Sequence, residues 1–214
     1  GVSFEVNEGE IVTLIGANGA GKSTTLNTIS GLLHSKTGHI EFMGELLNHV
    51  PSHKVVSKGL ALVPEGRRIF LQMSVQENLD MGAFSRRGGN IDADMERVFE
   101  QFPRLKERRK QVAGSLSGGE QTMVAITIYF AILKHRPTPF CMLDEVDAAL
   151  DDVNVDKYIT YLNQFSSQTQ LMVITHRRGT IEGCKVLYGV FMQEKGVSRL
   201  LRRELADELD VELK

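Results

Sequence analysis

The strongest constraint on this chain of 214 residues is a glycine-rich segment near its beginning. Between the strand-like run Ile11–Ile15 and a helix-like run from Ser23 stands the sequence G-A-N-G-A-G-K-S, which matches G-x-x-x-x-G-K-[ST] at every position. Glycines let successive backbone amides turn toward phosphate oxygens, and the start of a helix adds its positive dipole end. The segment predicts a nucleoside triphosphate site; a glycine-rich turn that binds nothing is the alternative.

Individual residues of this phosphate loop carry separate expectations. Lys22 is expected to reach the β- and γ-phosphates of ATP, and the Ser23 hydroxyl is expected to hold Mg²⁺. The full set of predicted phosphate-binding residues is Gly16, Asn18, Gly19, Gly21, Lys22, Ser23 and Thr24.

Two acidic residues supply what hydrolysis needs opposite such a loop. Asp144 and Glu145 follow four apolar residues, 140–143, that read as a buried strand. An acid at a strand end can support Mg²⁺, and the next carboxylate can orient or deprotonate the attacking water. We therefore predict Asp144 as a metal residue and Glu145 as a catalytic one; two solvated acids after a strand are the alternative.

Strand and helix patterns alternate along the chain and predict an α/β fold of the P-loop NTPase type. Expected strands are 3–6, 11–15, 39–43, 60–63, 140–143, 171–174 and a hairpin from 186 that turns at 194–196; expected helices are 23–33, 121–134 and an amphipathic tail built on Leu201, Leu205, Leu209 and Leu213. Residues 66–120 have few strand patterns and predict a mostly helical subdomain. It would be inserted into a nucleotide-binding core of residues 1–65 and 121–214.

Composition argues against several functional classes. The net charge of −2 gives no support for nucleic-acid binding, and no apolar run approaches the length of a membrane span. Cys141 and Cys184 stand in apolar surroundings, which favours reduced thiols in a cytoplasmic protein. The arginine pairs at 67–68, 86–87, 177–178 and 202–203 are interpreted as surface charge, and the histidines at 34, 39, 49 and 53 lack metal-ligand spacing.

The segment Leu116-Ser117-Gly118-Gly119-Glu120 resembles the signature sequence of the ABC ATPases when it is taken together with the two nucleotide motifs. The resemblance implies that Ser117, Gly118 and Gly119 bind the γ-phosphate on an opposite subunit, in a head-to-tail ATP-dependent dimer. It also implies that Asp151 lies in the D-loop at that interface. His176, after Thr175 and a buried strand, resembles the switch histidine that senses γ-phosphate and is predicted as a second catalytic residue; a plain histidine at the end of a strand is the alternative.

The chain resembles two families in different parts of its sequence. Residues 1 to about 126 resemble the ATP-binding subunit of branched-chain amino-acid importers, through G-V-S-F-E-V, G-A-N-G-A-G-K-S-T-T-L, L-V-P-E-G-R-R-I-F and S-L-S-G-G-E-Q. Residues from about 127 resemble the C-terminal head of SMC proteins, through P-F-C-M-L-D-E-V-D-A-A-L-D, I-T-H-R-R-G-T and L-Y-G-V-F-M-Q-E-K-G-V-S. An engineered chimera joined within 119–130 is the simplest interpretation; a natural divergent ABC protein is the alternative.

This dual resemblance implies an ATPase that uses ATP and Mg²⁺, with slow turnover. Glu65 stands where the ABC pattern has a glutamine and is expected to retain a contact with Mg²⁺ or water. The adenine-stacking aromatic of the family lies upstream of Gly1, so we expect weaker ATP affinity, because such stacking contributes about 1–3 kcal/mol. A folded scaffold without turnover is the alternative function, and neither the membrane partner of an importer nor an SMC partner is expected to be retained.

Overall fold

A six-stranded mixed sheet forms the centre of the molecule. The computed structural model describes residues 1–66, 69–82, 90–101, 103–118, 121–122, 124–126, 128, 138–194 and 197–205. The strands of the sheet are β1 (Ile11–Ile15), β4 (Leu60–Val63), β5 (Phe140–Asp144), β6 (Gln170–Ile174), β7 (Val186–Glu194) and β8 (Val197–Glu204). Their spatial order is β4-β5-β6-β1-β7-β8, parallel throughout except for the antiparallel pair β7 and β8. The predicted α/β fold is confirmed.

Helices lie against the sheet and in a separate helical region. They are α1 (Lys22–Ile29), α2 (Ser52–Ser57), α3 (Val75–Gly82), α4 (Ile91–Gln101), α5 (Pro103–Glu107), α6 (helical at the described residues between 118 and 128), α7 (Asp152–Phe165) and α8 (Arg178–Glu182). A short two-stranded sheet pairs β2 (Glu41–Phe42) with β3 (Glu45–Leu46).

The core divides into three apolar clusters. Alternate residues of β1 point to opposite faces of the sheet: Ile11 joins Tyr158 and Leu162 of α7, while Val12 joins Leu26 of α1. The third cluster joins side chains of α3, α4, α5 and α6: Val75, Leu79, Val98, Phe99, Leu105, Val124 and Ile128. The sheet is thus packed on both faces, by α7 on one and by α1 on the other, and this packing fixes the positions of the loops at its strand ends.

Three sequence predictions for elements are wrong in detail. Residues 3–6 form no strand, although Phe4 and Val6 pack on the core. The predicted helix 23–33 ends at Ile29, and the predicted strand 39–43 shrinks to Glu41–Phe42.

The predicted C-terminal helix is also wrong where the structure describes it. Leu201 lies in β8, and the amide of Leu205 donates to the Lys185 carbonyl beside β7 (3.0 Å). A spacing of four places residues on one face of a strand as well as of a helix, so pairing with β7 decides the conformation. Leu209 and Leu213 lie outside the described residues, as do residues 195 and 196 of the turn predicted at 194–196, whereas Glu194 ends β7.

Candidate ATP site

The phosphate loop connects β1 to α1 in the geometry that anion binding requires. Gly21 precedes α1 with φ 100°, and Gly19 has φ 83°; both are left-handed conformations that favour glycine. No side chain caps the first turn of α1, and that turn contains no acidic residue. The amides at the start of this helix are therefore available to an anion.

Lys22 stabilises the loop from within. Its side chain is buried, and Nζ donates to the carbonyls of Gly16 (2.7 Å) and Ala17 (3.3 Å). Asn18 and Gly19 are exposed at the tip of the loop, and Thr24 is exposed on α1. The loop is thus closed around its lysine, with its tip open to solvent.

The hairpin β7–β8 packs against the phosphate loop. A Cβ on Gly16 would lie 2.2 Å from the Val190 carbonyl oxygen, so only glycine fits there. Ser198 Oγ donates to the Ala20 carbonyl (2.8 Å). Sequence reasoning did not identify Ser198 as part of the site, because 178 residues separate the two partners.

Asp144, at the end of β5, lies against the start of α1. Burial raises the pKa of Asp144, and the carboxylates of Glu65 and Glu145 raise it further, whereas a hydrogen bond from Ser23 and the charge of Lys22 lower it. One carboxylate oxygen, Oδ1, is buried without a hydrogen-bond partner. An orphaned buried carboxylate oxygen beside a serine hydroxyl fits a hard cation such as Mg²⁺.

Glu145 and His176 form a pair at the ends of β5 and β6. Glu145 Oε1 lies 3.2 Å from His176 Nε2, and the Glu145 amide donates to the Ile174 carbonyl (3.0 Å). Glu145 has φ 49°, a strained conformation that costs about 1–3 kcal/mol and is typical of functional sites. The two predicted catalytic residues are therefore in contact.

Asp147 is a site residue that the sequence analysis did not single out. It is 1% exposed, and its carboxylate accepts hydrogen bonds from Thr175 (2.7 Å) and Thr180. These bonds hold the segment that carries His176 against the segment that follows Glu145. In the sequence it stands within the SMC-like run 139–151, but no local pattern assigned it a role.

The remaining predicted residues lie around this centre. Asp151 caps α7, since its carboxylate accepts from the Asn154 amide (2.8 Å). Ser117 and Gly118 are exposed at the start of α6, where the Ser117 carbonyl accepts from the Gln121 amide (2.9 Å). Gly119 lies outside the described residues. Glu65 is exposed.

A cleft of about 160 Å³ lies between Glu65 and Glu145. Its lining includes Glu65, Thr122, Ala125, Glu145 and Ala148. The cleft thus brings together the segment after β4, the helix of the signature sequence and the segment after β5.

Other features concern the whole described chain. Both cysteines are buried and free, and burial raises the pKa of each thiol to about 12. Among the described residues, no group of three or more His, Cys, Asp or Glu side chains is placed to hold a metal. No helix in the described ranges is long and apolar enough to cross a membrane.

Comparisons with known sequences agree with this geometry. The family model described as the RecF/RecN/SMC N terminal domain matches residues 3–199. The high-affinity branched-chain amino acid transport ATP-binding protein BraG of Pseudomonas aeruginosa is 45% identical over 163 residues, which are 76% of this chain and 68% of BraG. Chromosome partition protein Smc of Bacillus subtilis is 53% identical over 100 residues, which are 47% of this chain and 8% of Smc. The predicted resemblance to both kinds of protein is confirmed.

Solved structures share the fold of this chain. A structure described as the ATP binding subunit of an ABC transporter covers 96% of this chain and 83% of its own, with a TM-score of 0.78 and 27% identity. The ATP-binding cassette MJ0796, solved as a dimer bound to ADP and Pi, shares the fold with a TM-score of 0.80 at 21% identity, over 95% of this chain and 89% of its own. The chain therefore belongs to the RecF/RecN/SMC N terminal domain family and has the fold of an ABC-type ATPase.

Proposed function

We propose that this chain binds Mg·ATP and hydrolyses it slowly as a head-to-tail dimer. One observation carries the proposal: the buried, unpaired oxygen of Asp144 lies beside Ser23 and Lys22, next to the contact between Glu145 and His176. A cation site, a phosphate loop and a polarised carboxylate are the parts that phosphoryl transfer to water requires.

The residues have distinct roles in this proposal. The amides of 16–24, with Asn18 at the tip, and the Lys22 ammonium bind the phosphates, while Ser23 and Asp144 hold Mg²⁺. When bound, the metal neutralises charge on the phosphate oxygens. Glu145 accepts the proton of the attacking water, and His176 orients Glu145 and senses the γ-phosphate. Glu65 lines the cleft that Glu145 also lines, and it contacts the metal or a water bound to the metal.

Assembly as a dimer completes the site. Ser117 and Gly118 are exposed at the start of α6, and we assign them, together with Gly119 and Asp151, to the interface with the phosphates of a second copy. The dimeric form of the structurally similar cassette MJ0796, bound to ADP and Pi, supports this arrangement.

We further propose that the chain is an engineered chimera of an importer ATP-binding subunit and an SMC head. High identity to BraG and to Smc in a single chain of 214 residues supports this origin. In this proposal, residues 1–65 and 121–214 form the nucleotide-binding core, and residues 66–120 form an inserted helical subdomain. On this account the protein acts in the cytoplasm on nucleotide, without DNA, a membrane subunit or an SMC partner.

Phosphate release and size-exclusion chromatography test the proposal together. The variants are Glu145→Gln, which removes the base, and Lys22→Ala, which removes the phosphate contact. Glu145→Gln should lower the rate by about 100-fold or more and elute as a dimer with Mg·ATP. Lys22→Ala should stay monomeric.

The alternative outcomes are distinct. Equal hydrolysis by Glu145→Gln and the parent would exclude the assigned role of Glu145. Nucleotide binding without phosphate release or dimer formation would instead indicate the non-catalytic scaffold.

A further inference from the structure

Arg177, the residue after His176, contacts the segment that follows β5. Its guanidinium donates to the carbonyls of Leu150 and Ala148 (3.4 Å for Ala148) and to the Asp152 carboxylate (3.2 Å). Two carbonyls of the D-loop (residues 148–151) and the carboxylate of Asp152, the first residue of α7, therefore meet one side chain from the switch loop, the segment 175–177 that follows β6.

The backbone of Arg177 is fixed as well. Its amide donates to Thr175 Oγ1 (3.0 Å), and that hydroxyl donates to the buried carboxylate of Asp147 (2.7 Å). Thr180, fully buried in α8, donates to the same carboxylate. These bonds to Asp147 hold the backbone of the switch loop in place, while the guanidinium of Arg177 contacts the D-loop.

The neighbouring arginine provides a contrast. The Arg178 side chain is 92% exposed and pairs with Glu182 one turn along α8 (2.6 Å). The interpretation of the pair 177–178 as surface charge holds for Arg178, whereas the Arg177 side chain is 33% exposed and points onto the D-loop.

We propose that Arg177 is a positioning residue that couples His176 to the D-loop, so that engagement of the γ-phosphate at His176 sets the D-loop conformation. The inference rests on the proposed function, in which the D-loop lies at the interface with a second copy. A planar guanidinium can donate to several acceptors in different directions at once, which a lysine ammonium on a flexible stem does less well.

The expected phenotype differs from that of a phosphate-binding residue. The contacts of Lys22 and the phosphate loop do not involve Arg177. Loss of the guanidinium should therefore lower kcat and leave the KM for ATP unchanged, because it misplaces His176 and the D-loop without altering the phosphate cradle.

Two measurements on Arg177→Ala, Arg177→Lys and the matched control Arg178→Ala test the coupling. Hydrogen exchange in the nucleotide-free protein follows the amides of Ala148 and Leu150, which donate to Glu145 and Asp147. Arg177→Ala should speed their exchange about 10-fold, the loss expected for a hydrogen bond to a charged group. Steady-state hydrolysis should show about a 10-fold fall in kcat with KM within twofold of the parent.

The controls separate the possible failures. Arg178→Ala should match the parent in both assays, and Arg177→Lys should fall between, which keeps the test available if the alanine variant does not fold. Equal exchange in the Arg177 and Arg178 variants would overturn the proposal, as would a rise in KM at constant kcat. If the parent releases no phosphate, the proposed function fails, and the exchange comparison still decides the role of Arg177.

Discussion

Replacing Gly16 by alanine tests how closely the phosphate loop packs on β7. The added Cβ would lie 2.2 Å from the Val190 carbonyl oxygen and 3.1 Å from its carbon. Since ordinary contacts of this kind exceed 3 Å, the loop or the strand must move by about 1 Å. Overpacking costs about 1–3 kcal/mol, and because both partners are backbone we expect the upper value, about 3 kcal/mol.

Gly19 is the matched control for this experiment. It lies in the same loop, with no atom within 4 Å of an added Cβ, but with φ 83°. Alanine at Gly19 should therefore cost only the strain of a left-handed conformation, about 1 kcal/mol. Equilibrium unfolding in urea measures both losses. If Gly16→Ala costs no more than Gly19→Ala, the close contact between the loop and the hairpin is not present in solution.

Three further changes address single contacts. Thr180→Val removes a hydrogen bond to buried Asp147 and should cost about 2 kcal/mol in urea unfolding, against less than about 0.5 for the control Thr28→Val; equal losses would contradict the network. Ser198→Ala should cost about 1 kcal/mol and weaken nucleotide binding in a fluorescence titration, and unchanged affinity would remove Ser198 from the site. Burial raises the pKa of Asp144 in the folded state above its ordinary value of 3.8. Its contribution to the free energy of unfolding therefore favours the folded state at low pH and is lost as the pH rises from 3.8 through the pKa of the folded state. At neutral pH and without nucleotide, the Tm of Asp144→Asn should thus be higher than the Tm of the parent. A lower Tm for the variant would contradict the argument that burial destabilises the Asp144 carboxylate.

Local patterns predicted the parts of the site that are contiguous in sequence. The phosphate loop is specified by glycines in left-handed conformations between a strand and a helix, and the order of residues 16–23 contains that information. Asp144 and Glu145 follow an apolar run that becomes a buried strand. In parallel strands the carboxyl ends meet at one edge, which brings these acids to the loop.

Long-range contacts were beyond such patterns. The bond between Thr180 and Asp147 spans 33 residues, and that between Arg177 and Leu150 spans 27. The leucine spacing after residue 200 was misread because a period of four suits both a helix and a strand, and only the partner strand β7 decides between them.

Thermal unfolding with and without Mg·ATP tests the central claim, a composite site built from the phosphate loop and Asp144, most directly. A ligand that binds only the folded state at 100 times its Kd stabilises it by about 2.7 kcal/mol. The account predicts a clear rise in the Tm of the parent at millimolar Mg·ATP, a smaller rise without magnesium, and none for Lys22→Ala. An unchanged Tm for the parent at that concentration would contradict ATP binding, and with it the assignment of every residue in the site.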